Sequence, residues 1–384
     1  MLPGRVKRIV FFEHIEPDML KPTYTLPNLP PAVDLQTLPV MKALAKAHRH
    51  LAELKGRAAA IPNQGILIDS LALQEAKASS EIENIVTTQD ELFQAELFPE
   101  APGSAAAKEV ALYRDALKRG FNALHDMNGI ITNRCLIDMF QLLKARDDGF
   151  RRTPGTALQN DRTGEVVYVP PQDGKEIDHL MSRLEDFINA DEGADDLDPL
   201  IRMAIIHHQF ESIHPFPDGN GRIGRILNVL YLTRYGLLDT PILYLSRHIT
   251  QTKNDYYRLL QAVRDDGEWE AWVLYMLEAV ASTSKTTLEL IEGLRGLMAD
   301  YKRRLRDGFP KLYSQDLLNN LFRHPYTRIE YVVEDLHVTR QTAARYLDQL
   351  AEAGFVEKHQ AGRSNYYINM PLVMLFLRVS ENRA

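Results

Sequence analysis

Residues His214-Pro215-Phe216-Pro217-Asp218-Gly219-Asn220-Gly221-Arg222-Ile223-Gly224-Arg225 gather, in one short stretch, the side chains that phosphate chemistry needs. Gly219 and Gly221 flank Asn220 just before a helical pattern. Backbone N–H groups can converge there at the positive end of the helix dipole, which makes an anion site. Arg222 and Arg225 are three apart and share a helical face, and their guanidinium forks suit phosphate oxygens. Cations in a first helical turn oppose the dipole by about 0.3 kcal/mol or more each unless an anion offsets them. Asp218 offers a hard oxygen ligand for a Mg²⁺ ion that bridges phosphates. His214 ends the preceding helical pattern, where it can take a proton from an attacking hydroxyl. Together these groups describe phosphoryl or nucleotidyl transfer.

Each group has a plainer reading when taken alone. A histidine near a helix end is usually structural, and Gly-Asn-Gly is usually a turn. A zinc hydrolase is a competing reading, because His207, His208, Glu211 and His214 crowd together and His208 and Glu211 share a helical face. Against zinc, two arginines and a glycine nest attract anions and repel a dication. His207 and His208 are therefore expected to pack between helices.

The elements that must position this segment read as a mainly α-helical chain. Helical spacing of apolar residues covers 35–54, 69–97 (with Asp69 or Ser70 as cap), 105–124, 132–145, 177–190 and 199–212. It resumes at Arg222 and again over 254–264 and 269–298. The first thirty or so residues, ending in Leu26-Pro27-Asn28-Leu29-Pro30-Pro31, are too rich in proline for a helix and read as an extended arm. Residues 152–171 interrupt the helices with a short β-hairpin, in which Asn160-Asp161-Arg162-Thr163-Gly164 is the turn and Val166-Val167-Tyr168-Val169 a strand. The charged stretch 302–310 ends in Gly308-Phe309-Pro310 and reads as a linker to a further module. The chain shows no repeat of solenoid or propeller period.

Bulk properties narrow the classes. At 384 residues the chain has room for two or three domains, and 45% hydrophobic with 25% charged residues is ordinary globular usage. A net charge of -7 argues against a surface built throughout for nucleic acid, though a local patch remains open. Cys135, the single cysteine, excludes an internal disulfide framework and a thiolate metal cluster, so a reducing compartment fits. Neither a signal-peptide apolar stretch at the start nor a membrane-length one later is evident, and a cytoplasmic protein is expected.

The segment from His214 to Arg225 resembles the signature of the Fic family, His-Pro-Phe-x-Asp-Gly-Asn-Gly-Arg-x-x-Arg, at every specified position. The resemblance implies a Fic-type helical core that transfers AMP from ATP to a hydroxyl of a target protein (Tyr, Thr or Ser). His214 would be the base and Asp218 the Mg²⁺ ligand. Gly219, Asn220 and Gly221 would hold the α-phosphate side, and Arg222 and Arg225 the outer phosphates. The 152–171 hairpin would be the flap that clamps the target in extended form. Tyr256 and Tyr257 fall where the family often lines the nucleotide pocket, although an aromatic pair on a helix also suits a core. Gly221 resembles the AMP transferases, since the related Doc kinases carry lysine there; phosphocholine transfer is a rarer alternative.

Upstream, Ser79-Ser80-Glu81-Ile82-Glu83-Asn84 resembles the family's inhibitory pattern Ser/Thr-x-x-x-Glu-Gly/Asn. Ser79 and Glu83 are four apart on one helical face. The resemblance implies that Glu83 pairs with Arg225 and withholds it from ATP; in some members the same glutamate supports deAMPylation. Residues 312–369 read as helices followed by two strands and resemble a winged helix-turn-helix, with Thr339 capping its second helix. DNA bound through 309–384 would meet Arg340, Gln341, Thr342, Arg345 and Arg363; docking or dimerisation is the alternative. The expected division is 1–104 (arm and inhibitory helix), 105–301 (catalytic core) and 302–384 (linker and winged helix). A homodimer is implied by resemblance alone. A DNA-binding regulator that only senses nucleotide is the second functional class.

Overall fold

A computed structural model describes residues 6–11, 21–61, 63–88, 91, 92, 104–160, 163–191, 193, 195–323, 325–361 and 364–381. The chain forms two compact units. The first comprises Met1–Ala52, Glu75–Val86 and Leu112–Thr283, and the second Glu53–Gln74, Thr87–Ala111 and Ser284–Ala384.

The first unit is built around two helices joined by the phosphate segment. Helix α6 (Pro199–Ile213) is buried at every position from 200 to 213, the mark of a helix surrounded by protein rather than lying on a surface. Asp198 caps it by accepting from the Leu200 N–H at 2.8 Å, and Pro199 fills the first turn, where no backbone N–H is needed. Helix α7 (Asn220–Arg234) is buried at 220 and from 222 to 232. Also in this unit are α4 (Asn133–Lys144), capped by Thr132, and α5 (Gly174–Asn189), capped by Asp173. The helices α8 (Ser246–Gln251) and α9 (Lys253–Asp266) follow α7. The expected hairpin is present: β2 (Thr156–Asn160) and β3 (Val166–Tyr168) run antiparallel with Leu158 opposite Tyr168. Gly164 takes the positive φ its turn requires, while Asp161 and Arg162 lie outside the described residues. Part of the expected arm is a strand. β1 (Val6–Phe11) pairs with β2, Val6 opposite Asn160 and Phe11 opposite Thr156, giving the sheet order β1-β2-β3.

Helices α1 (Leu38–Ala58), α2 (Gln64–Ile82), α3 (Ala105–Asp126) and α10 (Trp269–Gly308) each contribute residues to both units. Two expectations are corrected here. The second helix was expected over 69–97, but it starts at Gln64, where the Asn63 side chain accepts from the Gly65 N–H, and it stops at Ile82. Asp69 is therefore not a cap; its carboxylate accepts from Arg323 at 2.7 Å. The stop is a Schellman motif: Asn84 has φ 64, its N–H donates to Glu81 and that of Ile85 to Ser80. Residues 93–97 lie outside the described residues. The stretch 302–310 was expected as a linker, but α10 continues through it to Gly308. Asp300 pairs with Arg303 and Arg304 at helical spacing, and Tyr301 and Leu305 are buried, so the charges occupy the outer face of a helix.

In the second unit α11 (Gln315–Arg323), β4 (Tyr326–Arg328), α12 (Ile329–Leu336), α13 (Arg340–Glu352), β5 (Glu357–Ala361), β6 (Ser364–Ile368) and α14 (Met370–Glu381) follow in order, with strand order β4-β6-β5. This is the plan of a winged helix-turn-helix. Thr339 caps α13 by accepting from the Thr342 N–H at 3.2 Å, as its position in the sequence predicts. The core includes Leu317, Phe322, Val332, Leu347 and Phe355, and the buried Tyr301 hydroxyl donates to the carbonyl of Phe355. Gly362 and Arg363, the expected wing tip, lie outside the described residues. Among the described residues no helix is long and apolar enough to cross a membrane.

Close packing in the first unit exposes one sensitive position. A Cβ on Gly120 would collide with the Met139 sulfur and lie 2.7 Å from Leu230 Cδ1, in a core without spare volume. Gly120→Ala should therefore destabilise by about 1–3 kcal/mol despite alanine's better helix propensity. Urea unfolding would measure it; an unchanged or raised midpoint would contradict the packing account.

Candidate active site

His214 is the C-cap of α6. Its backbone is left-handed (φ 51, ψ 56), its N–H donates to Phe210 at 2.9 Å, and the residue is 4% exposed. The chain then turns through Phe216, which is buried and stacked on Phe140 at 4.3 Å between ring centres. Asn220 closes this turn, since its side chain accepts from the Phe216 N–H at 2.8 Å and donates to the Phe216 carbonyl at 2.7 Å. The side chain expected on the α-phosphate side thus fixes the loop shape at the start of α7. No side chain caps α7. Gly219 enters it with φ 80, a conformation that favours glycine, and a Cβ there would press on Leu143 at 3.2 Å.

Asp218 is held by two cations. Its carboxylate lies 2.6 Å from Lys144 Nζ and 3.7 Å from Arg222 Nη2, and it accepts from the Gly219 N–H. Burial pushes this carboxyl upward, but the Lys144 hydrogen bond and the Arg222 charge outweigh it and hold the group below the usual carboxylate range. Lys144, the last residue of α4, was not anticipated from sequence; a lysine closing a helix gives little signal beyond favouring the dipole. Arg222 is buried.

Arg225 is brought to Ser79 and Glu83. Its Nε donates to Ser79 Oγ at 2.8 Å, and its Nη2 donates to the Ser79 carbonyl at 2.9 Å and to Glu83 Oε1 at 3.0 Å. Burial disfavours the charge of this guanidinium, yet Glu83 together with Tyr256, Tyr113 and Glu211 outweighs it and the group is pushed above its ordinary value. Glu83 follows the last residue of α2, at the point where the Schellman turn centred on Asn84 ends the helix. Lys253 holds the Asn84 side chain at 3.0 Å. Gly221 makes the approach possible, because a Cβ there would occupy the place of Glu83 Oε1 and lie 2.8 Å from Arg225 Nη1.

One turn before Ser79 on the same face is Glu75, a residue that sequence reading missed. It is 3% exposed and accepts hydrogen bonds from Tyr113 at 3.1 Å and from Ser246. Burial pushes its carboxyl up to about 7 against the opposing effects of Ser246, Arg225 and Tyr113. The spacing Glu75, Ser79, Glu83 is the signal that was available.

Tyr256 and Tyr257 pack in an aromatic cluster. Tyr256 is 1% exposed, its hydroxyl is hydrogen-bonded to His207 Nε2 at 2.8 Å, and its ring meets Tyr257 edge-on and Trp272 at a tilt. His207 also bonds Asn228, and His208 bonds the Leu260 carbonyl at 3.3 Å beside Trp269. Both histidines link their helix to neighbouring helices, as expected.

Three family models cover this architecture in turn. Residues 41–122 match the Fic/DOC family N-terminal model, 133–232 the Fic/DOC family model, and 297–372 the model described as the C-terminal domain of the SoFic-like protein adenylyltransferase. Among curated relatives, a protein adenylyltransferase Fic of Culex quinquefasciatus is 30% identical over 179 residues, covering 46% of this chain and 32% of that protein. Protein adenylyltransferase fic-1 of Caenorhabditis elegans is 31% identical over 141 residues, covering 36% of this chain and 25% of that protein. The chain therefore spans about a third or less of the length of these relatives. Two solved structures share the fold. A Fic family protein from Desulfovibrio desulfuricans G20 has a TM-score of 0.50 at 19% identity and covers 91% of this chain and 98% of that one. The Caenorhabditis elegans Fic-1 structure has a TM-score of 0.51 at 22% identity and covers 66% of this chain and 74% of that one. With the complete His214-to-Arg225 signature seated between two buried helices and family models matched on either side of it, the chain belongs to the Fic/DOC family.

Proposed function

We propose that this chain is a protein adenylyltransferase that transfers AMP from ATP to a hydroxyl of a target protein, and that Glu83 keeps it inhibited. The observation that carries the proposal is the engagement of Arg225, a signature arginine, by Ser79 of α2 and by Glu83 just past the end of that helix. Relatives named for adenylyl transfer support the same reaction.

In the active state the start of α7 receives the phosphates on its uncapped amides, with Arg222 and the released Arg225 on the outer ones. His214 accepts the proton of the target hydroxyl. The hydroxyl oxygen bonds to the α-phosphorus, the bond from that phosphorus to the bridging oxygen breaks, and pyrophosphate leaves with the electron pair. While Glu83 holds Arg225, the outer phosphates lack one guanidinium, and the leaving group is not aligned opposite the hydroxyl.

The residues fit a Mg²⁺ ion that arrives with the nucleotide. Asp218 supplies one half-exposed carboxylate, and among the described residues no group of three or more metal-binding side chains exists to hold an ion alone. Asp218 would help hold that ion, whose charge would offset that of the phosphates. Lys144 now neutralises Asp218 and would have to yield or turn to a phosphate.

The hairpin is the proposed target clamp. β1 already occupies the β2 edge, so an added target strand would take the β3 side or displace β1. The C-terminal unit is better suited to docking than to DNA. Arg340 is paired with Glu330 and Lys358 with Asp348, which neutralises two of the few cations on its helix-turn-helix and wing.

With α-phosphate-labelled ATP and a cell lysate as acceptor, Glu83→Gly should increase protein labelling, and His214→Ala in that background should lower it by about 10²-fold or more. An unchanged rate in Glu83→Gly would reject the inhibition model. The inhibition should also depend on pH. The Glu75 carboxyl sits at about 7 with α2 seated and returns to its ordinary value near 4.5 when the helix leaves. A raised value means that the contribution of Glu75 to seating is complete below about pH 4.5 and is lost as pH rises through about 7. The rate of the parent chain relative to Glu83→Gly should therefore rise from pH 5.5 to 8, while Glu75→Gln should flatten the trend; a ratio that stays level in both proteins would refute this linkage.

A further inference from the structure

The C-terminus of α6 ends inside the protein, where its last carbonyls need donors that water cannot supply. Each has one. Arg264 Nη2 lies 3.4 Å from the Glu211 carbonyl, the Tyr168 hydroxyl 2.5 Å from that of Ser212, and Arg151 Nη2 3.3 Å from that of Ile213. Arg151 Nε donates to the His214 carbonyl at 2.7 Å, and the Arg151 backbone N–H donates to Pro215 at 2.8 Å. Two cations at a helix C-terminus also suit the negative end of its dipole.

Two of these three residues belong to the hairpin or its root. Tyr168 ends β3, with its ring 3.8 Å from the Arg264 guanidinium. Arg151 immediately precedes the hairpin, and its Nη2 also donates to Pro171, at the far foot, at 2.6 Å. Gln172 ties the same feet together through Gly155, Thr156 and Pro170. Arg151 is 4% exposed, and the carbonyls of Pro171, Ile213 and His214 accept from its guanidinium. His214, the residue so gripped, has the left-handed backbone that non-glycine residues adopt only when their surroundings hold them there, and the proline that follows narrows its choices further.

We propose that Arg151 is the positioning residue of the catalytic base: one buried guanidinium holds both the His214 backbone and the root of the hairpin, so seating the hairpin and aiming His214 are one structural event. Tyr168 assists from the next carbonyl along. The role of His214 as base rests on the adenylyltransferase reading, whereas the mechanical link does not. Lysine in place of Arg151 keeps the charge but cannot reach Ile213, His214 and Pro171 together, because it lacks the planar fork.

The test uses the full chain in the Glu83→Gly background, with α-phosphate-labelled ATP and labelling of the chain itself and of lysate protein read against ATP concentration. Arg151→Lys should leave the equilibrium Kd for ATP within about 2-fold and lower the apparent kcat by about 10-fold or more, as expected for a misaimed base. Tyr168→Phe, which keeps the ring over Arg264, should give a smaller loss of the same kind. In the nucleotide-free protein the ¹H–¹³C signal of the His214 ring should move in Arg151→Lys. An unaltered kcat with an unmoved ring signal, or a loss carried by KM for ATP, overturns the proposal. If the Glu83→Gly parent labels nothing, the adenylyltransferase reading fails separately and the ring signal alone decides the link. Should Arg151→Lys not fold, Tyr168→Phe carries the same decision.

Discussion

The first unit depends on the burial of guanidinium groups in a helical core. Arg151, Arg202, Arg222, Arg225 and Arg264 are all nearly inaccessible to solvent. A cation in such a place needs hydrogen-bond acceptors around it, because the loss of hydration costs several kcal/mol per ion. The chain meets this demand in two ways. Arg151 and Arg202 are answered by backbone carbonyls, and Arg264 by the Ser212 hydroxyl, the Gln261 side chain and the Glu211 carbonyl, which makes all three fasteners of the scaffold. Arg225 is answered by a hydroxyl, a carbonyl and a carboxylate from a separate helix, so its partner is removable. The division separates arginines fixed by their own scaffold from one whose partners come from a distant helix.

The site was legible in the sequence where chemistry constrains residue type over a short span. Gly219 and Gly221 announce close approach and an unusual backbone, and the structure gives each a reason: a left-handed entry to α7 for one and room for Glu83 for the other. Asn84 was legible as part of a pattern, but its physical meaning, a left-handed helix stop, emerges only with the Schellman bonds in view. Periodicity placed α6 and α9 to within a residue or two. It overran at α2, because the apolar spacing around residue 85 continues past a stop that one asparagine enforces, and it stopped short at α10, because charged residues on the outer face of a long helix resemble a linker.

What stayed hidden was long-range. Nothing local distinguishes Arg151 from Arg152, yet the first is buried against α6 and the second is 61% exposed beside Asp178. Lys144 and Asp218 are far apart in sequence and meet only because Thr132 and Ala145 fix the ends of α4. Asn220 looks like a ligand residue in the signature, and the fold adds a second task, since both ends of its amide bond the Phe216 backbone. Residue type identifies a capability; only the fold decides whether solvent, backbone or substrate meets it.

The placement of Glu83 and the signature arginines sets two opposed helix-dipole contacts against one ion pair. Glu83 caps the C-terminal end of α2, where the helix dipole repels a carboxylate, and Arg222 and Arg225 occupy the first two turns of α7, where it repels a cation. Pairing Glu83 with Arg225 relieves both misplacements at once. A triphosphate at the start of α7 would relieve only the second, with more charge and more acceptor oxygens than one carboxylate offers. Glu83, 30% exposed already, would then remain at an unfavourable helix end with water as its only compensation, and the terminal turn of α2 would lose the contact that holds it closed. A ligand chooses between the two states only through its difference in affinity for them, and a triphosphate competes with Glu83 for the same guanidinium.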